Sequence, residues 1–188
     1  MSDAKDTIII GDGPGGLSAG LFLARGGHAV TIFGQDKTAM HWALLNNYLG
    51  IPQITGADFQ GVARGQVDAA GATLRDEAVS AVQRTDAGFE VTTEGGETLA
   101  ASFVILSEGK SPKIARALGL EVGEDGAVAV DRNSRSALDG LYVVGRSTRP
   151  GRSQAIISAG DGAAAAIDIL SRQAGKSVCD WDSPPSDS

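Results

Sequence analysis

A single cysteine, Cys179, is the whole thiol content of this chain of 188 residues. That excludes an internal disulfide, a CxxC redox pair and a cysteine-based metal site. There are two histidines, His28 and His41, without metal-ligand spacing, so no metal site is expected. Aromatic residues make up 5% of the chain, while Gly and Ala abound, within the range of an ordinary globular protein. No excess of basic charge exists; the net charge is −7, which argues against nucleic acid and anionic membranes as partners. Gly, Asp and Arg break every apolar run before it reaches the length of a membrane span. The start MSDAKD lacks the basic opening and apolar core of a secretory leader, so a cytoplasmic location is expected. The length suits one well-buried domain and is short for two. Neither an internal repeat nor a dividing linker is visible, so residues 1–178 read as one domain and 179–188 as a tail of disordered composition.

What the chain does have is concentrated in residues 7–36, TIIIGDGPGGLSAGLFLARGGHAVTIFGQD. Ile8, Ile9 and Ile10 run into Gly11-x-Gly13-x-x-Gly16, an apolar-faced stretch follows, and Ala29 to Phe33 form a second apolar run. Strand, glycine turn, helix and strand make the first βαβ unit of a nucleotide-binding domain. Gly11 allows the tight turn, Gly13 lets a pyrophosphate approach the backbone, and Gly16 lets the helix pack close to the strand. The helix start, with its free N–H groups and dipole, receives phosphate charge. The acidic residue expected at the end of the second strand, for the ribose hydroxyls, is absent. Gly34 stands there, followed by Gln35 and Asp36, of which Asp36 is the candidate stand-in.

Residues 36–52 read as an ordered loop with one helical turn, and 56–70 as a helix with Asp58 as its N-cap. Ala78–Gln83, Gly88–Thr92 and Thr98–Ser107, separated by turn signals, predict an antiparallel meander whose last run re-enters a buried parallel sheet. A short helix is predicted over 111–119, with Ser111 at the cap and Pro112 at its first position. Val128–Val130 suggests a small strand, Leu141–Val144 a buried one, and 154–172 a final helix with small residues on its packing side.

The order of these pieces resembles the flavin domain of the thioredoxin-reductase-like, FAD-dependent pyridine nucleotide disulfide oxidoreductases. GDGPGGLSAGLFLAR is similar to that family's GGGPAGLSAALYLAR, and NNYLGIP to its ENYPGFP. GFEVTTEGGETLAASFVILSEG resembles its meander and the strand ending in ATG. LYVVGR and RSQAIISAGDGAAAAIDIL resemble its closing strand-GD and QAITAAGDGAAAALDA helix. The resemblance implies a three-layer α/β fold of the FAD/NAD(P)-binding Rossmann-like type, with a parallel sheet and a small antiparallel β-meander. It implies FAD as cofactor and pairing of two copies through the flavin domain. Gly11, Gly13, Pro14, Gly15 and Gly16 would wrap the pyrophosphate, with Gln35 and Asp36 next to the ribose. Asn47 would reach the flavin, the backbone at Val79 would border the adenine, and Gly145 would lie under the ribityl chain. Gln154, Ala155 and Ile156 would present N–H groups to the flavin pyrimidine edge.

Departures from the family pattern are equally specific. The family's ATG is Ser107-Glu108-Gly109 and its GD is Gly145-Arg146. An arginine cannot accept the ribityl hydroxyl bond that the aspartate accepts. Arg146, Arg149 and Arg152 bring positive charge to that region, suited either to phosphate or another anion, or to a solvated loop. Glu108 suits either an acid–base role or a site altered away from the cofactor. His28, His41, Trp42, Cys179 and Trp181 read more simply as turn or packing residues than as ligands. Only residues 110–140 separate Gly109 from Leu141, where the family carries an inserted NADPH domain, and no second GxGxxG occurs there. Three functions fit. The first is an FAD-binding oxidoreductase drawing electrons from free NAD(P)H, a small-molecule substrate or a protein partner. The second is a non-catalytic flavin- or nucleotide-binding subunit, and the third a degenerate domain holding another anion.

Overall fold

Thr7–Ile10 form the first strand, β1, and all of its residues are buried. A strand without a polar face belongs inside a sheet covered on both sides. The structure is a computed structural model and describes residues 7–178; Cys179, Trp181 and the expected tail lie outside the described residues. After β1 come α1 (Pro14–Arg25), β2 (Val30–Phe33), β3 (Leu44–Leu45), β4 (Ile54–Thr55), α2 (Gly56–Ala69) and β5 (Thr73–Arg75). Then follow β6 (Val79–Thr85), β7 (Gly88–Thr93), β8 (Thr98–Ala101), β9 (Phe103–Leu106), α3 (Lys113–Ala117), β10 (Leu141–Val143) and α4 (Ala155–Ala174). The central sheet has the order β10-β9-β1-β2-β5, all parallel. β6, β7 and β8 form the antiparallel meander.

The two faces of the parallel sheet bury different partners, as the alternation of side chains along a strand requires. Ile9, Ile32, Ile105 and Tyr142 pack with Leu17, Leu23, Ala165, Ala166 and Ile169 of α1 and α4. Ile8, Ile10, Val104, Leu106 and Val143 pack with Val82, Phe89 and Val91 of the meander and Ile114 of α3. Helices, parallel sheet and meander are the three layers of a Rossmann-like FAD/NAD(P)-binding architecture.

Several expected elements differ in detail. The run 98–107 is two strands, with Ser102 as the step from the meander edge to the central sheet. β5 is a sheet edge of only three residues, two of them polar, too short for periodicity to reveal. Thr55, not Asp58, caps α2: its Oγ1 accepts the Asp58 N–H at 3.1 Å and donates to Asp58 Oδ2 at 2.6 Å. The cap of α3 also moves. Pro112 takes the N-cap position without a capping side chain, and Glu108 serves instead, accepting the N–H groups of Ile114 (2.7 Å) and Ala115 (3.0 Å). Val128 makes only an isolated bridge to Val122, so 128–130 is not a strand. The loop 36–52 does contain a helical turn, Ala39–Trp42.

Helix α1 meets its neighbours at distances only glycine allows. A Cβ on Gly16 would stand 1.9 Å from the Gly11 carbonyl oxygen, and one on Gly162 of α4 would stand 2.0 Å from that of Gly15. On the same face of the sheet, a polar cluster joins β10 to α4. Tyr142 donates to Asp168 Oδ2 at 2.6 Å and Arg135 Nε donates to the same oxygen at 2.7 Å. Arg172 Nη1 donates to the Tyr142 hydroxyl at 3.3 Å. Burial alone would push the Asp168 carboxyl up, but Arg135 and Tyr142, donating to it, and the charge of Arg172 hold it below the usual carboxylate range. Burial and Asp168 push the Tyr142 hydroxyl up to about 12.

The close helix contact and the polar cluster each make a measurable contribution to stability. Gly162→Ala should lower the unfolding free energy by ~1–3 kcal/mol through overpacking. Gly160→Ala, whose new Cβ meets nothing within 4 Å, should be neutral or stabilise by up to ~1 kcal/mol; urea titration of both variants reads the contrast. A depressed folded-state pKa contributes stability that is present above the unfolded value and lost as pH falls through the folded one. Asp168→Asn should therefore cost ~1–3 kcal/mol near neutral pH, and the gap to the unaltered protein should close as pH falls through the carboxylate range.

Candidate functional site

A parallel sheet places the carboxyl ends of its strands at one edge, and ligands of such sheets bind in the crevice there. That edge carries a cleft of about 810 Å³, within the ~300–1,000 Å³ range of small-molecule sites. Its walls are the glycine turn after β1, the end of β2, Thr38–Met40, the start of β6, Ser107–Lys113 after β9, and Gly145, Arg146 and Ala155. No Cys, His or Tyr lines it among the described residues, nor is there a cluster of His, Cys, Asp or Glu able to hold a metal.

The walls suit a phosphate-bearing ligand on three counts. First, Gly11 sits at φ +106°, and a Cβ there would meet the Ser107 carbonyl oxygen at 2.2 Å, so only glycine makes this turn. A Cβ on Gly13 would have Thr38 Oγ1 at 3.6 Å as its nearest neighbour, which leaves the backbone open to approach. Second, α1 and α4 both begin at the cleft, and neither has a side-chain cap or an acidic residue in its first turn. Their leading N–H groups are thus left for ligand or water. Third, Arg146 lines the cleft with a buried Nε that makes no hydrogen bond among the described residues. Arg149, by contrast, is spent on Asp161, with Nε and Nη2 donating at 3.1–3.3 Å.

The cleft gathers Gly11, Gly13, Pro14, Gly15, Gln35, Val79, Gly109, Gly145, Arg146 and Ala155 of the residues singled out from sequence. Gly16 lies behind the turn, against Gly11. Asn47 and Gln154 stand outside the wall and bond each other, Asn47 Nδ2 donating to Gln154 Oε1 at 3.0 Å, and Ile156 is partly exposed on α4. Asp36 also stands outside it, its carboxylate 3.0 Å from His41 Nε2. Glu108 lines the cleft, yet both of its oxygens serve α3. Burial pushes its carboxyl above the usual range, against the opposing pull of the Ile114 and Ala115 N–H groups.

Sequence reasoning passed over Asp12, Gln60 and Arg64. Asp12 lines the cleft and is only 5% exposed. Its Oδ2 accepts the Asp36 N–H at 3.0 Å and an Arg64 guanidinium hydrogen bond, while Gln60 Nε2 donates to its carbonyl at 2.6 Å. The signal for Asp12 was present in the motif, an acid inside a glycine turn with no acid at Gly34. Gln60 and Arg64 sit one helical turn apart on α2 and carried no such sign.

Comparison with known proteins agrees with this geometry. Residues 52–162 match the family described as pyridine nucleotide-disulphide oxidoreductase. The thioredoxin reductase of Streptomyces coelicolor is 31% identical over 183 residues, 95% of this chain and 53% of that protein. That of Helicobacter pylori is 33% identical over 116 residues, 57% of this chain and 36% of that protein. The chain therefore spans between about a third and a half of the length of these relatives. Among solved structures, a thioredoxin reductase from Gloeobacter violaceus superposes with a TM-score of 0.84 at 16% identity, covering 94% of this chain and 98% of that one. The atypical thioredoxin reductase of Desulfovibrio vulgaris gives 0.79 at 19% identity, covering 90% and 99%. Such low identities speak for the fold alone, whereas the match over 52–162 takes in more than half of the sequence: the chain belongs to the pyridine nucleotide-disulphide oxidoreductase family.

Proposed function

We propose that the cleft holds FAD and that the chain works as a flavin-dependent oxidoreductase, with electrons supplied by free NAD(P)H, a protein partner or the substrate. The observation that carries this reading is the convergence of two uncapped helix starts and an unpartnered arginine on one glycine-walled cleft. The turn Gly11–Gly15 and the first N–H groups of α1 would hold the pyrophosphate, with Arg146 adding positive charge. Ala155 and the start of α4 would favour negative charge on the pyrimidine edge. Bound flavin supplies the hydride and electron chemistry. The protein's part is to bind, orient and shield, because the cleft offers no nucleophile paired with a base.

A second reading is a flavin-binding subunit that depends on a partner chain. It is favoured by Trp42 and Leu49, exposed to 93% and 89% on the segment that follows the cleft wall at Ala39 and Met40. NAD(P)H oxidation by the purified chain alone separates the two: turnover supports the enzyme, and flavin that stays oxidised until another protein is added supports the subunit.

The purified protein should be yellow or take up FAD, and FAD should raise its melting temperature more than NADPH or inorganic phosphate at equal concentration. Colourless protein that FAD does not stabilise would rule the reading out. Arg146→Ala should weaken FAD binding about tenfold, while Arg152→Ala, outside the cleft wall, should leave it unchanged; fluorescence titration of FAD measures both.

A further inference from the structure

The end of β2, where a ribose-binding acid is expected, carries Gly34, and the first variable position of the glycine turn carries Asp12 where the resembling family motif has glycine. The two departures are one feature in space. A Cβ built on Gly34 would stand 2.2 Å from the Asp12 carboxylate carbon and 2.5 Å from Asp12 Oδ1. The carboxylate of Asp12 thus fills the space into which a side chain on residue 34 would first project, so that Asp12 requires a glycine there. We infer that Asp12 supplies, from the glycine turn, the carboxylate that receives the vicinal hydroxyls of an adenosine ribose, and that it makes this half of the cleft selective for an unmodified ribose.

This rests on reading the cleft as a site for an adenine dinucleotide. The carboxylate is fixed before any ligand arrives: Oδ2 is taken by the Asp36 N–H and Arg64, and the Asp12 carbonyl by Gln60. Oδ1 makes no hydrogen bond among the described residues, which leaves a carboxylate oxygen open on the cleft wall, and a hydroxyl donating to a carboxylate makes one of the stronger hydrogen bonds. Arg64 is shared between two acids, since its Nη1 donates to Asp12 and its Nη2 to Asp76 at 2.7 Å. A 2′-phosphate would bring its charge against that of Asp12, on a wall where Lys37 Nζ donates to Gln35 at 3.1 Å. Asp36, the stand-in expected from sequence, contributes its backbone N–H to Asp12 and turns its carboxylate to His41.

The test compares ADP, 2′,3′-dideoxy-ADP and 2′-phospho-ADP by calorimetry on four forms of the full chain. The unaltered protein should bind ADP about tenfold more tightly than either analogue. Asp12→Asn keeps an oxygen for Arg64 and Asp36 while replacing Oδ1 by a neutral donor. Both preferences should then shrink to about threefold or less. Reading ratios within one variant cancels any loss of folded protein. Gly34→Glu alone should abolish ADP binding by the clash with Asp12, and D12G/G34E should recover both the binding and the preference for ADP over the dideoxy analogue. An unaltered protein that binds FAD and ADP but does not distinguish the dideoxy analogue overturns the role of Asp12 and leaves the FAD reading intact. That role is overturned equally if Asp12→Asn keeps the full preference or if the double variant binds ADP without one. Failure of the unaltered protein to bind ADP or FAD at all overturns both.

Discussion

The structure depends on a carbonyl oxygen meeting a glycine where any side chain would collide. Gly16 lies over the Gly11 carbonyl and Gly162 lies over that of Gly15. Together these contacts let α1 tuck against β1 and let α4 lie against α1, so that two helices begin within one cleft. Packed interiors hold distances of this kind tightly, because separation forfeits dispersion contacts on every atom along the seam. The N–H groups proposed to meet a phosphate are thus set in place by backbone packing, without side-chain reorganisation.

Charge within the cleft is divided between structure and availability. Glu108 and Asp12 are both acids in the wall, but Glu108 spends both oxygens on α3, whereas Asp12 keeps one oxygen unbonded. Among the three arginines of the loop after β10, Arg149 is neutralised by Asp161 and Arg146 is not. A protein with a net charge of −7 can still offer an anion a cation that no acid neutralises, because Arg146 stands on the cleft wall without an acidic partner among the described residues.

Much of this fold is legible along the chain. Buried parallel strands leave unbroken apolar runs, as in Ile8–Ile10 and Phe103–Leu106, and the turn glycines mark where backbone must come close. What escaped was set by pairing with distant strands or by competition among nearby polar groups. β5 gains its place by pairing with β2, not from its own three residues. Ser111 reads as a cap, yet Glu108 reaches further and offers two acceptors to α3. Asp58 reads as a cap, yet Thr55 accepts and Asp58 answers it. In the cleft, the glycines and Arg146 were visible as motif and departure, while the fixing of Asp12 by Gln60 and Arg64 depends on how α2 crosses α1, which no local pattern encodes.

The mutual exclusion between Asp12 and a side chain at position 34 also constrains how such a sequence can change over generations. An acid gained at position 34 while Asp12 is present meets a collision, so that order passes through a chain in which one of the two side chains must be displaced. Losing Asp12 first passes through a chain that packs but lacks the carboxylate. The two arrangements are therefore joined by a fixed order of steps, with position 12 emptied before position 34 is filled, and the reverse order on the way back. A lineage that has settled on one arrangement leaves it by way of a chain with neither acid, because sterics close the route through a chain with both.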